Sequence, residues 1–139
     1  MIVRFTIPGK PCGKGRPRFA QRGRFVKTYT PEQTVNYENL VILEYQRSAK
    51  NFRFEDNAAL RVNITAYYPI PKSVSAKKRA DMIAGAIRPT TKPDWDNIGK
   101  IVCDALNGIA YRDDSQIVDG RTIKFYAENP RVEVEMYEV

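Results

Sequence analysis

Val3, Phe5 and Ile7 alternate with Arg4 and Thr6, so residues 2–7 read as a strand, ended by Pro8 and Gly9. Val62, Ile64, Ala66 and Tyr68 alternate with Arg61, Asn63, Thr65 and Tyr67 in a second strand, which Pro69 and Pro71 stop. Val132, Val134 and Met136 alternate with Glu133 and Glu135 in a last one. Val118, Ile123 and Phe125 mark a strand over residues 116–127, bent at Gly120, and Phe25 to Tyr29 reads as a short strand. Helical periods lie between these runs. Thr30-Pro31-Glu32-Gln33 has the form of a capping box with proline at the first helical position, which predicts a helix to about Arg47 that buries Tyr37, Leu40, Val41 and Tyr45. Ser75 to Ala84 reads as a short basic helix capped by Ser73 or Ser75. Ile98, Ile101, Val102, Ala105 and Leu106 share one stripe at helical spacing, so residues 97–107 form a third helix, with Asp96 or Asn97 as its cap and Gly108 as its stop.

The connection Glu128-Asn129-Pro130 is too short for a crossover, so the last two strands are expected as a C-terminal β-hairpin. Alternating rather than uniformly apolar strands point to a sheet whose two faces are covered differently. The predicted class is α+β: a mixed β-sheet with helices packed mainly on one face, in a single domain over residues 1–139.

Composition then removes whole classes of chemistry. With 42% apolar residues the chain can bury a core. It has no histidine, which excludes serine–histidine and cysteine–histidine catalysis, and two distant cysteines, which build neither the usual zinc site nor a disulfide scaffold. The longest aliphatic run is Leu40 to Leu43 and the first residues carry no apolar targeting segment, so the expectation is a cytoplasmic protein with no membrane part.

The net charge of +7 is segregated: residues 1–30 carry +8, residues 31–71 carry −1, residues 72–92 carry +5 and residues 93–139 carry −5. Two basic segments flank an acidic centre, the pattern of a surface that grips phosphates while carboxylates work on one of them. Residues 9–24 hold four glycines, two prolines and six basic side chains, and read as a loop. In it Lys14, Arg16, Arg18, Arg22 and Arg24 are candidate phosphate contacts, with Phe19 and Phe25 as candidate base-stacking rings. Lys77, Lys78 and Arg79 form a second, weaker candidate cluster, since most short charge runs are solvated helix faces.

The acidic centre holds Asp94 and Asp96 just ahead of the third helix, and Asp113-Asp114 after it. Carboxylate oxygens suit a hard divalent cation, and such an ion inside a basic protein suggests phosphodiester hydrolysis. Spacing alone also admits a bland reading, in which Asp96 caps the helix, Asp94 is solvated and Asp113-Asp114 makes a turn. A strand returning along the sheet could bring Asp114 beside Asp94. Lys100 is either half of a helical ion pair with Asp96 or Asp104, or a cation placed to neutralise a scissile phosphate. Asp104 reads as a paired or solvated helix residue, and Trp95 reads more readily as a core anchor than as a surface ring near DNA.

Pro93-Asp94-Trp95-Asp96-Asn97-Ile98, then Lys100, then Asp104-Ala105-Leu106, then Tyr111-Arg112-Asp113-Asp114-Ser115-Gln116-Ile117-Val118 resembles the RusA-type Holliday junction resolvases. The resemblance implies a Mg²⁺-dependent endodeoxyribonuclease, with Mn²⁺ as a substitute, that acts as a homodimer on four-way DNA junctions in recombination and repair and is often encoded by phages or prophages. It implies Asp94, Asp96 and Asp114 as metal-binding carboxylates, Lys100 as the functional lysine and Asp113 as an acid of lesser importance. Two other readings stay open: a nuclease of the same chemistry that prefers flaps or other branched DNA, and a non-catalytic DNA-binding module whose aspartates only cap and turn.

Overall fold

A computed structural model describes residues 1–16, 18–29 and 31–139; over 18–22 and 25–29 it describes the backbone without the side chains. The elements in chain order are β1 (Ile2–Pro8), β2 (Arg18–Arg22), β3 (Phe25–Tyr29), α1 (Glu32–Ala49), β4 (Leu60–Pro69), α2 (Ala76–Ile83), α3 (Trp95–Ala105), a 3₁₀ turn (Asp114–Gln116), β5 (Ile117–Ala127) and β6 (Arg131–Glu138). Four strands form a mixed sheet in the order β1-β6-β4-β5, with β4 parallel to β5 and the other neighbours antiparallel. The α+β class and the mixed sheet are as expected. The short connection at residues 128–130 does reverse the chain, but its two arms are not hydrogen-bonded neighbours, because β4 lies between β5 and β6. The chain therefore steps over the end of β4, and β4 receives ladder bonds on both sides.

Alternation along the strands sets up one apolar face. Val3, Phe5 and Ile7 of β1, Val62, Ile64, Ala66 and Tyr68 of β4, and Val132, Val134 and Met136 of β6 are all buried. Val41 and Tyr45 of α1 and Ile98, Ile101 and Val102 of α3 close over that face and join the same cluster. Tyr45 meets the Phe5 ring edge-on at 5.7 Å and donates its hydroxyl to the Phe52 carbonyl at 2.7 Å. Tyr37 and Leu40, expected in the core, are only half-buried at its margin. The opposite sheet face is polar and carries the ion pairs Arg4–Glu135, Arg61–Asp119 and Arg131–Glu133. The short helix α2 lies by β5, and its Ser75 cap accepts from the Lys78 N–H, as expected.

Two boundaries differ from expectation. Residues 9–24 are not all loop: Arg18–Arg22 pairs with Phe25–Tyr29 as a two-stranded hairpin, turning at Gly23 with φ +61°. The α1 capping box rests on Thr30, outside the described residues; Pro31 occupies the cap position. The helix α3 begins two residues earlier than expected, at Trp95, with Asp94 as its cap residue. Gly108, at φ +77°, stops the chain after α3 as expected.

Candidate active site

The site is built along α3. Its apolar stripe is fully buried, which fixes the opposite side toward solvent. Asp96, Lys100 and Asp104 follow one another at helical i, i+4, i+8 spacing on that side. Asp94 holds the cap position, yet its side chain makes no capping hydrogen bond. Asp96, in the first turn, makes no hydrogen bond or ion pair among the described residues and is exposed. The bland reading assigned Asp96 to the cap; neither carboxylate is used that way.

The segment leading into the helix is pinned. Tyr68 donates its hydroxyl to the Pro93 carbonyl, and Lys124 donates to the Thr91 carbonyl at 2.7 Å while lying 4.9 Å over the Tyr68 ring. Burial, and then the Asp94 charge, push the Tyr68 hydroxyl up to about 12, so it remains a donor. Residues 11–16 form a strap between α1 and α3. The Lys14 N–H donates to the Asn97 carbonyl at 3.1 Å, and the Gly15 N–H donates to the Thr34 hydroxyl at 3.1 Å. A Cβ at Gly13 would stand 2.9 Å from that of Pro93, so glycine is what lets the strap touch the start of α3. Strap, α1 and α3 enclose a cleft of about 840 Å³ lined by Lys14, Arg16, Thr34, Lys92, Asp94 and Asn97.

Asp114 reaches the other end of the strip. Its N–H donates to the Asn107 side chain at 2.9 Å. Its neighbour Asp113 accepts from the Ser115 N–H at 2.9 Å and completes a capping box with Gln116. One acid of the pair is therefore spent on the turn, and the other faces α3. There Asp114 lies beside Asp104 and Lys100, and Asp94 is not among the charges that act on it. Burial, then a side-chain hydrogen bond with Asp104, then the charges of Asp104 and Asp113 raise the Asp114 carboxyl above the ordinary 3.8, while Lys100 acts in the opposite sense. Among the described residues no three acidic or thiol groups meet at one point. The acids form a strip instead: Asp96 and Asp104 are separated by about 12 Å of helix rise, with Lys100 half-way.

Asp104 is paired, as expected, and has more partners than its own helix supplies. It pairs with Lys100 at 3.4 Å and with Lys14 at 3.5 Å, and faces Asp114. The available signal for its place on the strip was its position eight residues after Asp96 on the same helix face. Lys14, read as a phosphate contact, is held by Glu38 at 3.1 Å as well as by Asp104 at 3.5 Å. Trp95, read as a core anchor, is 61% exposed. Arg16 and Arg24 are exposed; Arg18 and Arg22 lie on β2 with side chains outside the described residues. On α2, Lys77 and Lys78 are exposed and Arg79 pairs with Glu128 at 3.1 Å. No described helix is long and apolar enough to cross a membrane.

The raised carboxyl of Asp114 has a thermodynamic consequence. A carboxyl with a higher proton affinity in the folded than in the unfolded chain contributes stability in acid, and that contribution is lost as pH rises through the folded value. Asp114→Asn should therefore melt about 1–3 °C above wild type at neutral pH in the absence of divalent ions, with the advantage shrinking toward acid. Thermal unfolding across a pH series measures it. A lower melting temperature at neutral pH would show that Asp114 is a structural partner.

A family model described as "Endodeoxyribonuclease RusA" matches residues 8–137, and the chain belongs to that family. The protein is also similar to "Uncharacterized protein YqaN" of Bacillus subtilis (strain 168), at 42% identity over 141 residues covering 99% of this chain and 96% of that one. The family is one of endodeoxyribonucleases, which makes DNA a partner of the protein.

Proposed function

We propose that the protein is a Mg²⁺-dependent, structure-selective endodeoxyribonuclease that resolves four-way DNA junctions by paired phosphodiester hydrolysis, as a cytoplasmic homodimer serving recombination and repair. The observation that carries the reading is the pair of uncommitted carboxylates at the start of α3: Asp94 makes no capping bond and Asp96 has no partner among the described residues. The donor set fits the ion. Mg²⁺ is commonly held by only one or two carboxylates, with water and phosphate oxygens in its other positions, and a strip of acids supplies that without closing into a cage.

In this reading Asp94, Asp96 and Asp114 are the metal-binding carboxylates, holding one or two ions along the strip. A bound divalent ion supplies Lewis acidity toward the phosphate and a more acidic water. Lys100 places its ammonium midway along the strip. Its side chain is 60% exposed and its pairing with the 19%-exposed Asp104 is a helical ion pair of the kind worth about 0.3–0.5 kcal/mol, so the ammonium can turn to a phosphate at small cost. Two protomers about a two-fold axis would match the symmetry of a junction and allow paired nicks.

Incubation of the protein with a synthetic four-way junction, a flap and a linear duplex, in Mg²⁺, in Mn²⁺ and in chelator, tests the reading. Paired nicks on the junction that require the divalent ion are expected. Equal or better cutting of the flap replaces the junction with another branch; no ion-dependent cutting of any DNA removes the enzyme. Light scattering of the free protein tests the dimer. Lys100→Ala should lower the single-turnover cleavage rate about 100-fold and junction affinity less than about 3-fold, because a charge that acts on the transition state contributes little to ground-state binding. If affinity falls as far as rate does, Lys100 is an ordinary phosphate contact.

A further inference from the structure

The chain's one tryptophan, Trp95, stands in the first turn of α3 between Asp94 and Asp96. Tryptophan is usually well buried, and this one is 61% exposed and makes no ring or cation contact among the described residues. Its backbone is held on every side. The segment before it is tied to Tyr68 and Lys124, the strap is tied to Asn97, and Ile98, Ile101 and Val102 just beyond are fully buried. The indole is therefore an apolar plate carried on a fixed backbone at the mouth of the candidate site. At about 100° per residue, Asp96 projects between Trp95 and Asn97, and Asn97 lines the basic cleft. A backbone passing Asp96 would have the cleft with Arg16 and Lys92 on one side and the indole on the other.

A nucleobase inside a continuous duplex has both faces covered by its neighbours and offers nothing to such a plate. A base at a branch point, where a stack ends, offers an open face, and aromatic side chains take such faces whatever the base. We propose that Trp95 reads the branch: its indole stacks on the nucleobase left without a neighbour where the backbone passes the start of α3. The inference rests on the nuclease reading above and adds to it the residue that separates branched from linear DNA.

The single tryptophan makes the contact directly measurable in chelator, where no cutting occurs. Emission of the wild-type protein should be quenched by a four-way junction much more than by a linear duplex of the same sequence. Trp95→Ala should lose about 5- to 100-fold in junction affinity with less than about 2-fold change for the duplex, and Trp95→Phe should recover most of the loss. Both variants should melt with the wild type, since the exposed ring supports no core. Equal quenching by the two DNAs, an equal loss on both in Trp95→Ala, or no recovery in Trp95→Phe overturns the assignment. Failure of the wild type to cut any DNA in Mg²⁺ removes the nuclease reading instead, and is scored separately from these binding measurements.

Discussion

Asp94→Asn, Asp96→Asn and Asp114→Asn are each expected to slow junction cleavage about 1,000-fold, with DNA affinity unchanged or slightly raised. Asparagine keeps the shape of the side chain and removes the charge that attracts a hard cation. The fold offers little reason for loss by other means. Asn is as good a cap residue as Asp, so the start of α3 survives at position 94. Asp96 is exposed and unpartnered among the described residues. At Asp114 the change relieves the apposition with Asp104. Asp113→Asn is the internal control: its side-chain oxygen still accepts from the Ser115 N–H, so the turn persists and cleavage should fall by less than about 10-fold. Single-turnover rates and affinities in chelator, measured on the same junction, separate the two effects. Cutting by Asp94→Asn at the wild-type rate would mean that the uncommitted carboxylates at the start of α3 bind no ion.

What the sequence disclosed followed from local physics. The burial of Val62, Ile64, Ala66 and Tyr68 was legible because a strand's period of two is a property of neighbouring residues. So was the buried stripe of α3, which turns Asp96 and Lys100 outward. What stayed hidden depended on partners far along the chain. Nothing in residues 116–138 says that β4 lies between the two strands they form, since that order is set by where the sheet buries its apolar face. Lys14 sits in a segment without a single acid, yet Glu38 and Asp104 reach it across the strap. The glycines at 13 and 15 read as part of a loop and are close approaches to Pro93 and Thr34. Asp104 looked like one half of a helical ion pair until Asp114 arrived from another element to face it.

The difference between Lys14 and the arginines of the same segment gives the second large effect. Arg16→Ala with Arg24→Ala should weaken duplex binding about 10- to 100-fold at moderate salt and flatten the slope of log affinity against log salt by about one to two units, because each phosphate contact releases about 0.9 of a counterion. Both side chains are exposed and make no ion pair among the described residues, so their charge is free for phosphate and their loss should leave stability unchanged. Lys14→Ala should do the reverse. Its ammonium is only 23% exposed and already neutralised by two carboxylates that are 19% exposed each, so little of its charge is left for DNA. Removing it leaves Glu38 and Asp104 without their shared cation and loosens the strap, which keeps its backbone bonds to Asn97 and Thr34, at a cost of about 1–2 kcal/mol. The salt slope should not move. Salt titrations of duplex affinity and thermal unfolding of the two variants decide between strut and contact. A flattened slope with unchanged stability in Lys14→Ala would make Lys14 a phosphate ligand, and an unchanged slope in the double arginine variant would move the DNA surface to Lys77, Lys78 and Arg79 on α2.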